Sequence, residues 1–269
     1  MKHTYIGIIA LGFLTSCMDD NPPSANLKII LDKEVYEVGE EVVFHFHGKP
    51  DNIVFYSGEI GSNYHMRNRL YADNDLFVDF KTFIRYGVIY DNLQLMVSSD
   101  FNGKYDTDNV NAATWRDVSE LFNFSTGADQ TESGVVNLKE FAGEDNKAPF
   151  YIALRYTDFI DPPTKKRQNN WIVRSFNVDK VTPEGVSTNL GTMATMGWTT
   201  VDFSNLARKW TVSATQVLID GNTDVEPNDD WLISKSFDIR ASVPDKGQVL
   251  KNISLSMDEH KHIYTKPGT

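Results

Sequence analysis

Cysteine is nearly absent from this 269-residue chain; the one present is Cys17. A single cysteine excludes an internal disulfide framework and a cysteine-based zinc cluster. Histidine is also scarce, with six in all. No His-Glu-x-x-His helix, Gly-x-Ser-x-Gly elbow or phosphate-cradling glycine loop occurs. Basic residues are outnumbered, 26 Lys and Arg against 37 Asp and Glu, for a formal net charge of −11. That balance argues against nucleic acid or anionic lipid headgroups as the main partner, since both need clustered positive charge. Nowhere does an apolar run reach the roughly 20 residues of a transmembrane helix. What remains is 41% hydrophobic and 23% charged, ordinary for a folded globular protein. The length suits about two domains.

The N-terminus reads Met1-Lys2-His3, an apolar run from Tyr5 to Leu14, then Thr15-Ser16-Cys17. A short basic region followed by a brief apolar stretch is the pattern of a secretory signal. Leu14-Thr15-Ser16-Cys17 resembles a bacterial lipobox, in which residues 1–16 are removed and Cys17 becomes the lipidated first residue. Several acyl chains on one residue anchor stably where a single chain is marginal. Residues 17–25 then form an acidic tether, Met18-Asp19-Asp20-Asn21-Pro22-Pro23-Ser24, too polar to bury surface. Acids just after the lipidated residue resemble the export signal of Bacteroidetes surface lipoproteins. The expected location is the outer membrane, lipid-anchored through Cys17 and exposed at the cell surface.

The remainder reads as β. Alternation is clear in Val42–His47, Leu93–Val97 and Trp171–Val178. Phe150–Tyr156, Trp210–Ile219 and Trp231–Ser234 are further expected strands, rich in aromatic and β-branched residues. Turn clusters separate them, such as Asn102-Gly103, Asp161-Pro162-Pro163 and Pro244-Asp245-Lys246-Gly247. Asn111–Phe122 is the one stretch expected to hold a short helix or a turn. Many strands at short spacing mean sandwiches or jelly rolls.

Two blocks at opposite ends of the chain are related. Val38-Gly39-Glu40-Glu41-Val42-Val43-Phe44 and the terminal His262-Ile263-Tyr264-Thr265-Lys266-Pro267-Gly268-Thr269 resemble the opening and closing parts of a PKD-type immunoglobulin-like domain. This resemblance implies an Ig-like β-sandwich over 26–69, completed by 249–269, with a jelly-roll (galactose-binding-like) β-sandwich over 70–248 inserted into it. Insertion is easy where a domain's chain ends lie close together. The alternative is two consecutive domains. The PKD pattern calls for one more strand beyond Thr269.

Four further blocks carry a wider resemblance: Phe55–Glu59 with Tyr64–Arg69, Ser99–Tyr105 running into Ala113–Ser119, Asn169–Phe176, and Asn228–Lys235. Together they resemble a Bacteroidetes surface-lipoprotein family whose domain has no assigned function. Asp230-Trp231-Leu232-Ile233-Ser234 is similar to jelly rolls of the choice-of-anchor and cleaved-adhesin type. The resemblance implies a non-catalytic lipoprotein that binds or presents glycans beside a SusC/SusD-type uptake transporter. An adhesin-like or structural lipoprotein with a protein partner is the alternative, and a glycoside hydrolase a third. No cofactor is required on any of the first two readings.

Candidate binding residues follow from chemistry. Sugars stack their C–H faces on partly exposed aromatics. Of the five tryptophans, four sit in or beside strand patterns and are expected in cores. Trp198 lies in the small-residue stretch Gly191–Thr200 and is the candidate exposed platform. Lys165, Lys166 and Arg167 form the basic cluster that could touch an anionic sugar, although a charge run at a turn is usually just solvated. Asp220, Asn222 and Asp224, with Glu226, place oxygens at alternate positions, and Asp100 and Asn102 begin a second oxygen-rich loop. Such loops could hold a structural calcium ion, as jelly rolls of this type often do; capping by Asx-turns accounts for them equally well. His45 and His47 share one strand face, as do His260 and His262. If the two ends of the chain pair, the four imidazoles could meet around a metal; solvated positions on ordinary strands are the simpler reading.

Overall fold

A computed structural model describes residues 26–86, 91–143, 148–158, 170–220 and 227–268. In chain order the first strands are β1 (Leu27–Leu31), β2 (Glu41–Gly48), β3 (Ile53–Phe55), β4 (Asp75–Arg85) and β5 (Leu93–Ser98). Helix α1 (Thr107–Ala112) precedes β6 (Arg116–Asp117), β7 (Thr131–Glu132), β8 (Val136–Asn137), β9 (Tyr151–Asp158) and β10 (Asn170–Val181). Next come β11 (Ser187–Thr192), β12 (Thr199–Ser204), β13 (Thr211–Val212) and β14 (Val217–Ile219). β15 (Asn228–Ile233), β16 (Gln248–Lys251) and β17 (Glu259–Ile263) close the series. The fold is all-β. Among the described residues no helix is long and apolar enough to cross a membrane.

The described residues form two compact units, one drawn from residues 1–64 with 246–269 and one drawn from residues 65–245. In the first, β2 lies between β1 and β17, and β3 pairs with β16, all antiparallel. Val42, Phe46 and Ile53 are its buried aliphatic and aromatic side chains. Phe44 meets Phe55 edge-on at 5.2 Å, and Phe55 packs on His260 at 4.7 Å. Histidine rings thus fill space that an aliphatic core would otherwise take.

The second unit is a β-sandwich. One sheet runs β13-β14-β10-β4-β7, with β11 paired to β10 and β8 to β4; the other runs β12-β15-β9-β5-β6. Consecutive strands cross repeatedly between the sheets, as jelly rolls do. β4 alternates without a break, placing Leu76, Val78, Phe80, Thr82 and Ile84 inside. Trp171, Val173, Phe176 and Val178 of β10 join them from the same sheet, while Leu95, Ile152, Leu154, Tyr156 and Leu232 close the core from the other. Phe80 and Phe176 stack at 5.4 Å across the β4–β10 pair. A smaller cluster on the outer face of the second sheet holds Phe101, Tyr151, Val201 and Trp231.

Two local expectations change. Trp210–Ile219 is a hairpin and not one strand. The Ser213 amide donates to the Gln216 carbonyl at 3.0 Å, and the Ser213 hydroxyl accepts from the Gln216 amide, so Ser213 and Gln216 close a turn. The stretch Asn111–Phe122 holds a 3-10 helix at Ser119–Leu121, while the α-helix starts earlier, because the Asp106 side chain accepts from the Asn109 amide and starts α1 at Thr107.

Candidate functional site

A cleft of about 290 Å³ opens between the edges of the two sheets in the second unit. On one side are Met193, Ala194, Gly197 and Trp198, leading into edge strand β12; on the other are Val212, Ser213 and Ala214 at the tip of the β13–β14 hairpin. The turn that carries Trp198 is tightly specified. The Thr195 and Met196 amides both donate to the Thr192 carbonyl, and the Lys235 amide donates to the Met196 carbonyl at 2.8 Å. Met196 is fully buried, and a Cβ on Gly191 would meet its sulfur at 2.8 Å. Gly197 takes φ +66, a left-handed conformation that favours glycine, and a Cβ there would meet the Lys235 Cβ at 3.0 Å.

Trp198 is half-buried and not an open platform. Its ring packs on the inter-sheet core. Its Nε1 is buried with no hydrogen-bond partner, so what the side chain offers the cleft is ring carbon. None of the lining side chains is charged. The Ser213 hydroxyl is committed to its own turn, donating to the Gln216 carbonyl at 2.8 Å.

At the opposite edge of the second sheet, Ser98, Ser99, Asp100, Thr114 and Arg116 line a polar depression of about 240 Å³. Asp100 Oδ1 accepts from the Ser98 hydroxyl and the Thr114 amide, both at 2.8 Å. Burial opposes ionisation of Asp100, but the bonds from Thr114 and Ser98 outweigh it and hold the carboxyl below its ordinary range. Asn102 donates to Asn109 Oδ1 at 2.6 Å and accepts from the Lys104 amide at 2.9 Å. Asp100 Oδ1 and Asn102 Oδ1 therefore serve donors of the loop itself. Asp220 accepts from the Asn170 amide group at 2.7 Å. Asn222, Asp224, Glu226, Lys165, Lys166, Arg167 and Cys17 lie outside the described residues.

The four imidazoles do not converge. Register pairs Phe44 with His260 and His45 with Glu259. Cross-strand partners share a face and neighbours along a strand do not, so the two histidine pairs project from opposite faces. His45 Nε2 pairs with Asp32 Oδ1, and His262 Nε2 with Glu59 Oε2, each at 3.0 Å. Among the described residues no three His, Cys, Asp or Glu side chains are grouped to hold a metal.

A polar group at one end of the sandwich escapes the sequence reading. β15 begins at Asn228, earlier than the apolar run Trp231–Ser234 suggests, so Asn228 and Asp230 share a face with core residue Leu232. Asp230 is fully buried, and burial followed by the neighbouring Asp202 carboxylate pushes its carboxyl up to about 8. Asp158 accepts from the Asn228 amide at 2.8 Å and from the Tyr156 hydroxyl at 3.3 Å. Burial, then Asp158, raises the Tyr156 phenol. The signal was present in Asn228-Asp229-Asp230, but a polar run beside a turn reads as loop.

Comparison with known proteins adds little beyond family membership. No curated protein matches the chain. A lectin from Bauhinia forficata in complex with GalNAc aligns at 10% identity over 73% of this chain and 80% of its own, with a TM-score of 0.13. The metal-free form of lectin I-B4 from Griffonia simplicifolia aligns at 11% identity over 84% and 96%, with a TM-score of 0.12. Scores this low carry no argument about fold or ligand. Residues 16–198 match the model of a domain of unknown function, DUF5017, and the chain belongs to that family.

Proposed function

We propose that this protein is a non-catalytic lipoprotein, anchored through Cys17 to the outer membrane, that binds glycans at the Trp198 cleft for a SusC/SusD-type uptake system. The observation that carries the binding part is the cleft itself: indole carbon on one wall, small uncharged side chains around it, and a backbone that fixes the ring. Sugar C–H faces need such a surface. Small-molecule sites run from roughly 300 to 1,000 Å³, so this cleft suits a single or terminal sugar residue. Its uncharged lining favours a neutral glycan. Anchoring and surface display rest on the lipobox-like Leu14–Cys17 and the acidic tether after it.

Affinity electrophoresis of the chain from Met18 onward, against plant, host and microbial polysaccharides, tests the reading. Retardation by one neutral polysaccharide supports it. Free migration of a folded sample through all of them counts against it.

A protein partner is the second reading. It draws on the first unit, where Val54 and Val249 are cross-strand partners on β3 and β16 and are 49% and 70% exposed. Co-purification of a protein with the lipidated form, without glycan retention, favours it.

A further inference from the structure

Four side chains at one end of the β12–β15 ladder gather buried polar atoms that lack hydrogen-bond partners. They are Asp202 Oδ1, Asn205 Nδ2, both amide atoms of Asn228 and both carboxyl oxygens of Asp230. They are close neighbours. Asp202 pairs directly with Asp230, Ser204 pairs with Asp229, and Asn205 and Asn228 follow next along the two strands. Asn228 and Asp230 stand on the sandwich-interior side of β15, 2% and 0% exposed. Asp158, the cross-strand partner of Asn228 on β9, adds a third carboxylate to the same face.

Bare, this arrangement is unfavourable. A buried carboxylate persists only when paired, hydrogen-bonded or bound to a metal. Like charges directly opposite on neighbouring strands repel. A proton shared between Asp202 and Asp230 would serve one pair of oxygens and leave the side-chain oxygen of Asn228 unserved; the Nδ2 groups of Asn205 and Asn228 are donors that neither a proton nor a cation serves. A divalent cation serves several oxygens at once. The donors are all oxygen, without nitrogen or sulfur ligands, which selects hard cations. Magnesium keeps several of its waters, whereas calcium accepts a mixed set of carboxylate, amide and carbonyl oxygens; burial this deep favours the second.

We propose that a divalent cation of the calcium class binds between β12 and β15, with Asp202, Asp230 and the amide oxygen of Asn228 as its side-chain ligands. The central set holds two carboxylates and one amide, so it is not a grouping of three acids. It is also separate from the oxygen-rich loop at Asp100 and Asn102, where Asp100 Oδ1 and Asn102 Oδ1 already accept hydrogen bonds. The cation bridges edge strand β12 to β15, and β12 is the strand that Trp198 leads into.

The test uses the chain from Met18 onward. The Trp210 indole N–H lies 3.3 Å from the Asp230 carbonyl oxygen, close enough for tryptophan excitation to sensitise a bound terbium ion. Terbium luminescence that calcium chloride displaces is the expected result. Calcium at about 100 times its Kd should raise Tm by about 5–10 °C over the same protein in EDTA. Asp202→Asn and Asp230→Asn should each weaken terbium binding roughly tenfold or more, while Asp100→Asn leaves it unchanged. Asp202 is only partly buried, so its variant keeps the test decisive if Asp230→Asn fails to fold. Superimposed melts with no sensitised luminescence overturn the proposal. So does loss of the signal in Asp100→Asn with retention in Asp202→Asn. A rise in Tm of metal-free Asp230→Asn with no effect of calcium on the wild type also overturns it, and assigns a shared proton instead.

Discussion

Trp198 stands edge-on against Phe176, with ring centroids 5.4 Å apart and planes at 88°. Phe176 in turn stacks on Phe80. The candidate ligand wall is therefore continuous with the centre of the sandwich, and ring orientation in the cleft is set by the core. Preorganised side chains of this kind lose little freedom on binding.

The turn before Trp198 should be as sensitive as the ring itself. Gly197→Ala forces a Cβ into a left-handed position against Lys235, at a cost of about 1–2 kcal/mol. The prediction is a folded protein with Tm lower by about 2–8 °C and clearly weaker polysaccharide retention. Thermal melting and affinity electrophoresis of one sample read both.

Asn92 and Trp171 make a second, purely structural prediction. The fully buried Trp171 donates its indole N–H to Asn92 Oδ1 at 2.7 Å. Asn92→Ala removes the acceptor and leaves a dry donor, which costs about 1–3 kcal/mol. Chemical denaturation should show that loss as a lower midpoint at an unchanged m-value.

His260 gives the first unit a pH dependence. Its Nε2 is buried without a partner, and burial first, then His262, lowers its pKa below the ordinary 6.5. The unfolded chain therefore binds a proton more readily than the folded one. Stability from this group is present above about pH 6.5 and falls as pH drops through that value toward the lower folded pKa. Glu59, paired with the neighbouring His262, faces the same cluster. Melts from pH 8 to 5 should show the first unit losing stability, and His260→Phe should flatten the slope. A slope unchanged by His260→Phe would assign the effect to another group.

Strand identity was legible wherever β-branched and aromatic residues cluster in short runs, even where, as in β5, apolar residues face both sides. Val42–His47, Leu93–Val97 and Trp171–Val178 all fall within β2, β5 and β10. β4 was harder, because Phe77 and Phe83 on its outer face blur an otherwise unbroken alternation, and Thr82 takes an interior place. Interior Thr82 is accommodated by the bond its hydroxyl accepts from the Ser125 amide at 2.9 Å, a long-range contact that no local pattern reveals. The small-residue stretch around Trp198 sets it apart in the sequence, yet its half-burial depends on Phe176, which is far away in sequence. The Asp202–Asp230 pairing depends on strand register, which one sequence does not fix.

The most direct measurement is affinity electrophoresis of wild type beside Trp198→Ala, both from Met18 onward and both checked for folding by melting. Removing a half-buried tryptophan should cost less than the about 3–5 kcal/mol of a fully buried aromatic, so the variant should still fold. The account predicts that a neutral polysaccharide retards the wild type and that the folded variant migrates freely. Equal retardation of the two would contradict the Trp198 cleft as the glycan site.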